Sequence, residues 1–173
     1  MVSDRIHKVF NEIGAEYRDK LLEADKNEEI ITEKLRDTQE KLINVIKVNC
    51  KESFDWFQNN ATQEKKADGI AFQLDDSKRQ EGQKFIEQLQ ECYTKYDYGL
   101  RQELLNSQNE MNIITDDHQS CSNFCVETSE NKLDQEIKQC FQNCFTQTFD
   151  KTRQAQSRII GKIDDVYNNL NKF

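Results

Sequence analysis

The sequence predicts an all-α protein built from two antiparallel helical hairpins, the C-terminal one stapled by disulfides. Three observations carry that expectation. The 173 residues include no proline and only five glycines, and good helix formers dominate. Apolar residues recur every three or four positions along most of the chain. Four of the six cysteines form two C-x3-C pairs, a spacing that puts both sulfurs of a pair on one helical face. Apolar content is 35%, low enough to favour slender hairpins with one buried stripe each over a large core.

Taken in order, Ser3 caps a first helix whose stripe is Ile6, Val9, Phe10, Ile13, Tyr17 and Leu21. Asn27 opens a second, with Ile31, Leu35, Leu42, Ile46 and Cys50 on one face and Phe54 and Phe57 beyond. Helical character fades from Asn59 to Asp68, and Gly69 supplies a turn. Asp76 or Ser77 starts a third helix with Phe85, Leu89, Cys92, Tyr93, Tyr96, Leu100 and Leu104. Thr115-Asp116-Asp117 reads as the N-cap of a short helix carrying Cys121, Phe124 and Cys125. Ser129–Lys132 is a turn. From about Leu133 a last helix runs to the end, its stripe including Ile137, Cys140, Phe141, Cys144, Phe145, Phe149, Ile159, Ile163, Val166 and Leu170. The expected domains are 1–112, an N-terminal helical extension with its own hairpin, and 113–173, the stapled hairpin.

The cysteines test that register. Fourteen residues separate the two C-x3-C pairs. In an antiparallel hairpin, facing residues are equidistant from the turn. Cys121 and Cys144, and equally Cys125 and Cys140, share a midpoint between Lys132 and Leu133, beside the expected turn. Phe124 and Phe141 share it too. The pairing is therefore Cys121 with Cys144 and Cys125 with Cys140. The inner bridge closes a loop of about 15 residues, worth roughly 3 kcal/mol in the chain-entropy model. A four-cysteine zinc site and four unconnected buried thiols are the alternative readings. Cys50 and Cys92 share a midpoint at Ala71, close to Gly69. That register sets Phe57 opposite Phe85, Ile46 opposite Tyr96 and Leu42 opposite Leu100, and makes Cys50–Cys92 a third staple, the alternative being two free thiols.

Several function classes are excluded. A net charge of −8 opposes nucleic acid and polybasic membrane contact. No run approaches the ~18 apolar residues of a membrane span. The N-terminus MVSDRIHKVFNEIG has neither the apolar core of a secretory signal nor the Arg/Ser-rich character of a presequence. His7 and His118 stand far apart, each expected on the surface, and no phosphate loop, metal motif or nucleophile–base set is present. The expectation is a non-enzyme without cofactor or metal. Trp56, between Phe54 and Phe57, reads as packing.

The paired motifs CSNFC (121–125) and CFQNC (140–144), with FTQTFDKTRQAQSRI (145–159), resemble the small Tim family of the mitochondrial intermembrane space. The resemblance covers Ile113 to Phe173, and the 110-odd residues before it depart from that short family. It implies residence in the intermembrane space, peripheral to the inner membrane, where oxidation without a secretory signal is ordinary. It also implies that Ile137, Phe141 and Phe145 around Cys140 and Cys144 form the face read by the import oxidoreductase. Partners are then other small-Tim-like proteins or membrane-complex subunits. Two roles follow. One is an accessory subunit of a large inner-membrane assembly such as a respiratory-chain complex, with Trp56, Tyr93, Tyr96 and Tyr98 as interface aromatics. The other is the family's chaperoning of hydrophobic precursors, with Met111, Ile113 and Ile114 as client contacts.

Overall fold

The computed structural model describes residues 2–66 and 69–172, with side chains described over 4–62 and 73–172. Among them are helices α1 (Val2–Glu16), α2 (Arg18–Asn49), α3 (Lys51–Asn60), α4 (Asp76–Glu81), α5 (Gln83–Glu127) and α6 (Asp134–Leu170). Between α3 and α4 lies one β-hairpin, β1 (Thr62–Lys66) and β2 (Gly69–Gln73), in antiparallel register from Thr62 opposite Gln73 to Lys66 opposite Gly69. The all-helical class holds, with this hairpin where the sequence anticipates only a turn. The tip at 67–68 lies outside the described residues.

Helix boundaries differ from the sequence expectation in instructive ways. α1 begins at Val2, so Ser3 lies within it; the Ser3 side chain is outside the described set. α2 runs straight through Asn27, whose amide donates to Gln156 Oε1 at 3.2 Å in place of capping. α1 and α2 are nearly one helix: across the break at Tyr17 the Tyr17 N–H reaches Ile13 O and the Leu21 N–H reaches Tyr17 O, both at 3.0 Å. α5 likewise passes through Thr115-Asp116-Asp117. Thr115 there donates its hydroxyl back to Met111 O at 3.0 Å, a bond compatible with a helix interior.

The turn joining α5 to α6 stands where the sequence sets it. The Ser129 hydroxyl donates to Val126 O at 2.7 Å. The Leu133 N–H donates to Glu136 Oε2 at 2.8 Å, the reach-back of a capping box that satisfies an orphan donor at the start of α6.

Two compact units divide the chain: Met1–Leu35 with Glu103–Asp164, and Arg36–Gln102 with Asp165–Phe173. They interleave along the sequence, whereas consecutive segments 1–112 and 113–173 are the sequence expectation. In the first unit, α5 and α6 form an antiparallel helical hairpin. α1 and the start of α2 run alongside α6 in parallel. Arg5 meets Asp134, Tyr17 meets Thr146, Asn27 meets Gln156 and Lys34 meets Asp164, at sequence separations of 129, 129, 129 and 130. A constant difference in residue number is the mark of parallel pairing, as a constant midpoint is of antiparallel pairing. Along α6 the positions facing inward are Ile137, Phe141, Cys144, Thr148, Thr152, Ala155, Ile159 and Ile163, all buried or half-buried. Their steps of three and four average close to an 11-residue repeat, which keeps a stripe on one side of a helix over many turns.

In the second unit, Leu42, Ile46, Leu100 and Leu170 are buried. Trp56 stacks on Phe85 with ring centroids 5.5 Å apart and planes at 11°. Phe85 thus stacks on the immediate sequence neighbour of Phe57. α2 ends at Asn49 and α3 restarts at Lys51, with Cys50 outside helical geometry at φ −121°, ψ 32°.

Candidate functional site: the bridged hairpin and the helix that covers it

Disulfides join Cys121 to Cys144 and Cys125 to Cys140, each with a Cα–Cα distance of 5.8 Å. A third joins Cys50 to Cys92 in the second unit at 6.4 Å. All three distances suit a disulfide. The α5–α6 bridges lie stacked one turn apart, with Cys125 Sγ 3.6 Å from Cys144 Sγ. The sulfurs of Cys121, Cys125 and Cys144 fall within 4.8 Å of one another. Bonded in disulfides they offer no thiolate, so a cation there would need the reduced chain.

The core of this site draws on three helices. Val9 and Ile13 of α1 pack with Cys125 of α5 and with Ile137, Phe141 and Cys144 of α6. Ile6, Tyr17, Cys121, Cys140 and Phe145 close around them. Phe141 is 0% exposed, its ring 4.8 Å from that of Phe10, edge to face. Phe145 stacks on Tyr17 at 5.7 Å and meets Phe10 and His118 edge-on. Phe124 does not face Phe141. It is 59% exposed, and the Lys132 ammonium stands 5.8 Å from its ring. The shared midpoint fixes the cysteines, but Phe124 precedes Cys125 by one residue, about 100° around the helix.

Polar contacts fasten α1 to α6 along one edge. Arg5 Nε donates to Asp134 Oδ1 at 2.8 Å, and its guanidinium also reaches Lys132 O at 2.9 Å. Lys138 bridges Glu16 at 2.5 Å and Glu12 at 3.5 Å. Gln142 donates to Glu16 Oε2 at 2.7 Å. The Tyr17 hydroxyl lies 2.6 Å from Thr146 Oγ1 and donates to Gln142 O at 3.2 Å. The hydrogen bond from Lys138, aided by that from Gln142, holds the Glu16 carboxyl below its ordinary value of 4.5. The same bond raises Lys138 above 10.5.

The face Ile137–Phe141–Phe145 is therefore occupied from within the chain. Sequence reasoning missed its occupant, although the apolar stripe of α1 is legible and had no assigned partner. Across the remaining α5–α6 contact, Lys151 pairs with Asp117 at 2.6 Å and Arg158 pairs with Glu110. His118, expected at the surface, is half-buried with Nδ1 2.9 Å from Thr148 Oγ1, whereas His7 is exposed. Of the three client-contact candidates Ile113 is 62% exposed, Met111 is half-buried and Ile114 is buried. Tyr93 and Tyr98 are exposed, while Trp56 and Tyr96 are half-buried. Among the described residues no helix is long and apolar enough to cross a membrane.

No family model matches this chain, and neither a curated protein nor a solved structure does.

Proposed function

We propose that this is a non-catalytic structural protein of the mitochondrial intermembrane space, an accessory subunit of a large inner-membrane assembly such as a respiratory-chain complex. On this reading α5 and α6 form a small-Tim-like twin CX3C hairpin, and the remaining helices supply the contacts that seat it among other subunits. The observation that carries it is the double bridge: two CX3C motifs on facing helices, joined in one register at equal Cα–Cα distances of 5.8 Å. Disulfides of this kind persist in oxidising compartments. Tyr93 and Tyr98 (66% exposed) offer amphipathic interface surface on α5.

The test is fractionation of mitochondria under native conditions, with crosslinking. Co-migration with a respiratory or ATP-synthesising complex, resistant to salt, supports the subunit role. Absence from mitochondria refutes the address, and a free soluble pool refutes the subunit role. One observation favours chaperoning as a second reading: Ile113 projects from α5 into solvent. Crosslinks from residue 113 to hydrophobic precursors in transit would establish it.

A further inference from the structure

We propose that α1 is a strap that shuts both bridges of the α5–α6 hairpin against thiol exchange, so that their reduction waits on α1 lifting away. This rests on the packing of α1 and not on the compartment or role proposed above. Each bridge has one sealed residue and one marginal one. Cys144 and Cys125 are 1% exposed, while their partners Cys121 and Cys140 are half-buried at the edge of the same core.

A reductant must therefore attack through Cys121 or Cys140. Its thiolate bonds to that sulfur, the S–S bond breaks, and the electron pair leaves on Cys144 or Cys125. The second thiol of a dithiol then displaces the mixed disulfide and departs as a cyclic disulfide. One dithiol thus delivers two electrons and two protons per bridge, and two cysteine thiols result. The leaving thiolate would form among Val9, Ile13, Ile137 and Phe141. An apolar pocket raises a thiol's pKa and makes it a poor leaving group. Removing α1 takes Val9 and Ile13 out of that pocket and admits water to the nascent charge. The strap thus acts on the leaving group as well as on the path of approach.

Its attachment suits reversible opening. The ion pairs along its edge, Arg5–Asp134 and the half-buried Lys138 with Glu16, are open to solvent on at least one side and each of small worth. α1 ends one residue before α2 begins, with Tyr17 between them.

The experiment treats oxidised full-length protein with excess dithiothreitol at neutral pH, quenches by alkylation at intervals, and maps each cysteine by mass spectrometry. Ile13→Asp is expected to open the two hairpin bridges at least about tenfold faster while Cys50–Cys92 keeps its rate within about twofold. The double variant Arg5→Ala, Glu16→Ala loosens only the exposed fastening and is expected to accelerate the same two bridges by a smaller factor. Unchanged hairpin-bridge rates in either variant overturn the proposal. So does equal acceleration of all three bridges in the double variant, which decides the matter if Ile13→Asp fails to fold.

Discussion

Phe141 and Phe124 show how much a residue's neighbours matter to its worth. Both are aromatic and both sit beside a CX3C cysteine. Phe141 is sealed under Phe10, and Phe124 lies in solvent. Phe141→Ala is expected to cost about 3–5 kcal/mol of unfolding free energy, and Phe124→Ala less than about 0.5, measured by chemical denaturation. Gly82 carries a different constraint. A methyl group there would enter the ring of Trp56, so the Trp56–Phe85 stack needs a residue without a side chain. Gly82→Ala is expected to destabilise by about 1–3 kcal/mol, and a simultaneous Trp56→Leu to recover part of that loss. Glu16 gives a pH-dependent case. Its lowered pKa means its contribution is present above the unfolded value of 4.5 and lost as pH falls through the lower folded value. Lys138, raised, contributes below 10.5 and loses that contribution as pH rises through its higher folded value. The melting-temperature difference between wild type and Glu16→Gln should therefore hold steady from about pH 5 to pH 10 and vanish in stronger acid. A difference that persisted undiminished at acid pH would show that the carboxylate charge has no part in fastening α1.

At the scale of elements, the α5–α6 hairpin was legible because its evidence is internal. The midpoint shared by two cysteine pairs coincides with the turn that Ser129 and Glu136 build. Cys125→Ser with Cys140→Ser is expected to lower stability by roughly 3 kcal/mol, read from denaturant midpoints. Helix starts were less legible. Asn27 and Asp117 carry side chains that cap helices well, yet both lie within helices. Asn27 is spent on Gln156 and Asp117 on Lys151. Capping preference is a local quantity, and these partners lie more than thirty residues away. Cys50 marks the opposite case, a helix break that apolar periodicity passes over.

For the whole molecule, the decisive contact is the parallel one. Sequence reasoning sets neighbouring helices antiparallel because short connections favour that arrangement. α1 and α6 are joined by more than a hundred residues, so no short-connection argument reaches them. The consequence is testable by excision. Residues 113–173 contain both bridged motifs but not Val9, Phe10 or Ile13. That fragment, oxidised, should remain helical, bind a hydrophobic dye and melt without a cooperative transition. Adding a peptide of residues 1–17 should suppress the dye signal and restore a transition. A fragment that melts as sharply as the full chain would show that the hairpin is complete without α1.

The sequence by itself determined the helical class, the antiparallel hairpin and the partners of Cys121 and Cys125, since each follows from spacing over a few turns of helix. Only the tertiary structure decided what covers them. Residues 137, 141 and 145, which the family resemblance makes a face read by an import oxidoreductase, are closed by α1, because helix period dictates which side is apolar but not which distant segment comes to lie on it. The interleaving of the two units has the same cause: burial is a property of where elements meet, and that is settled over the full length of the chain.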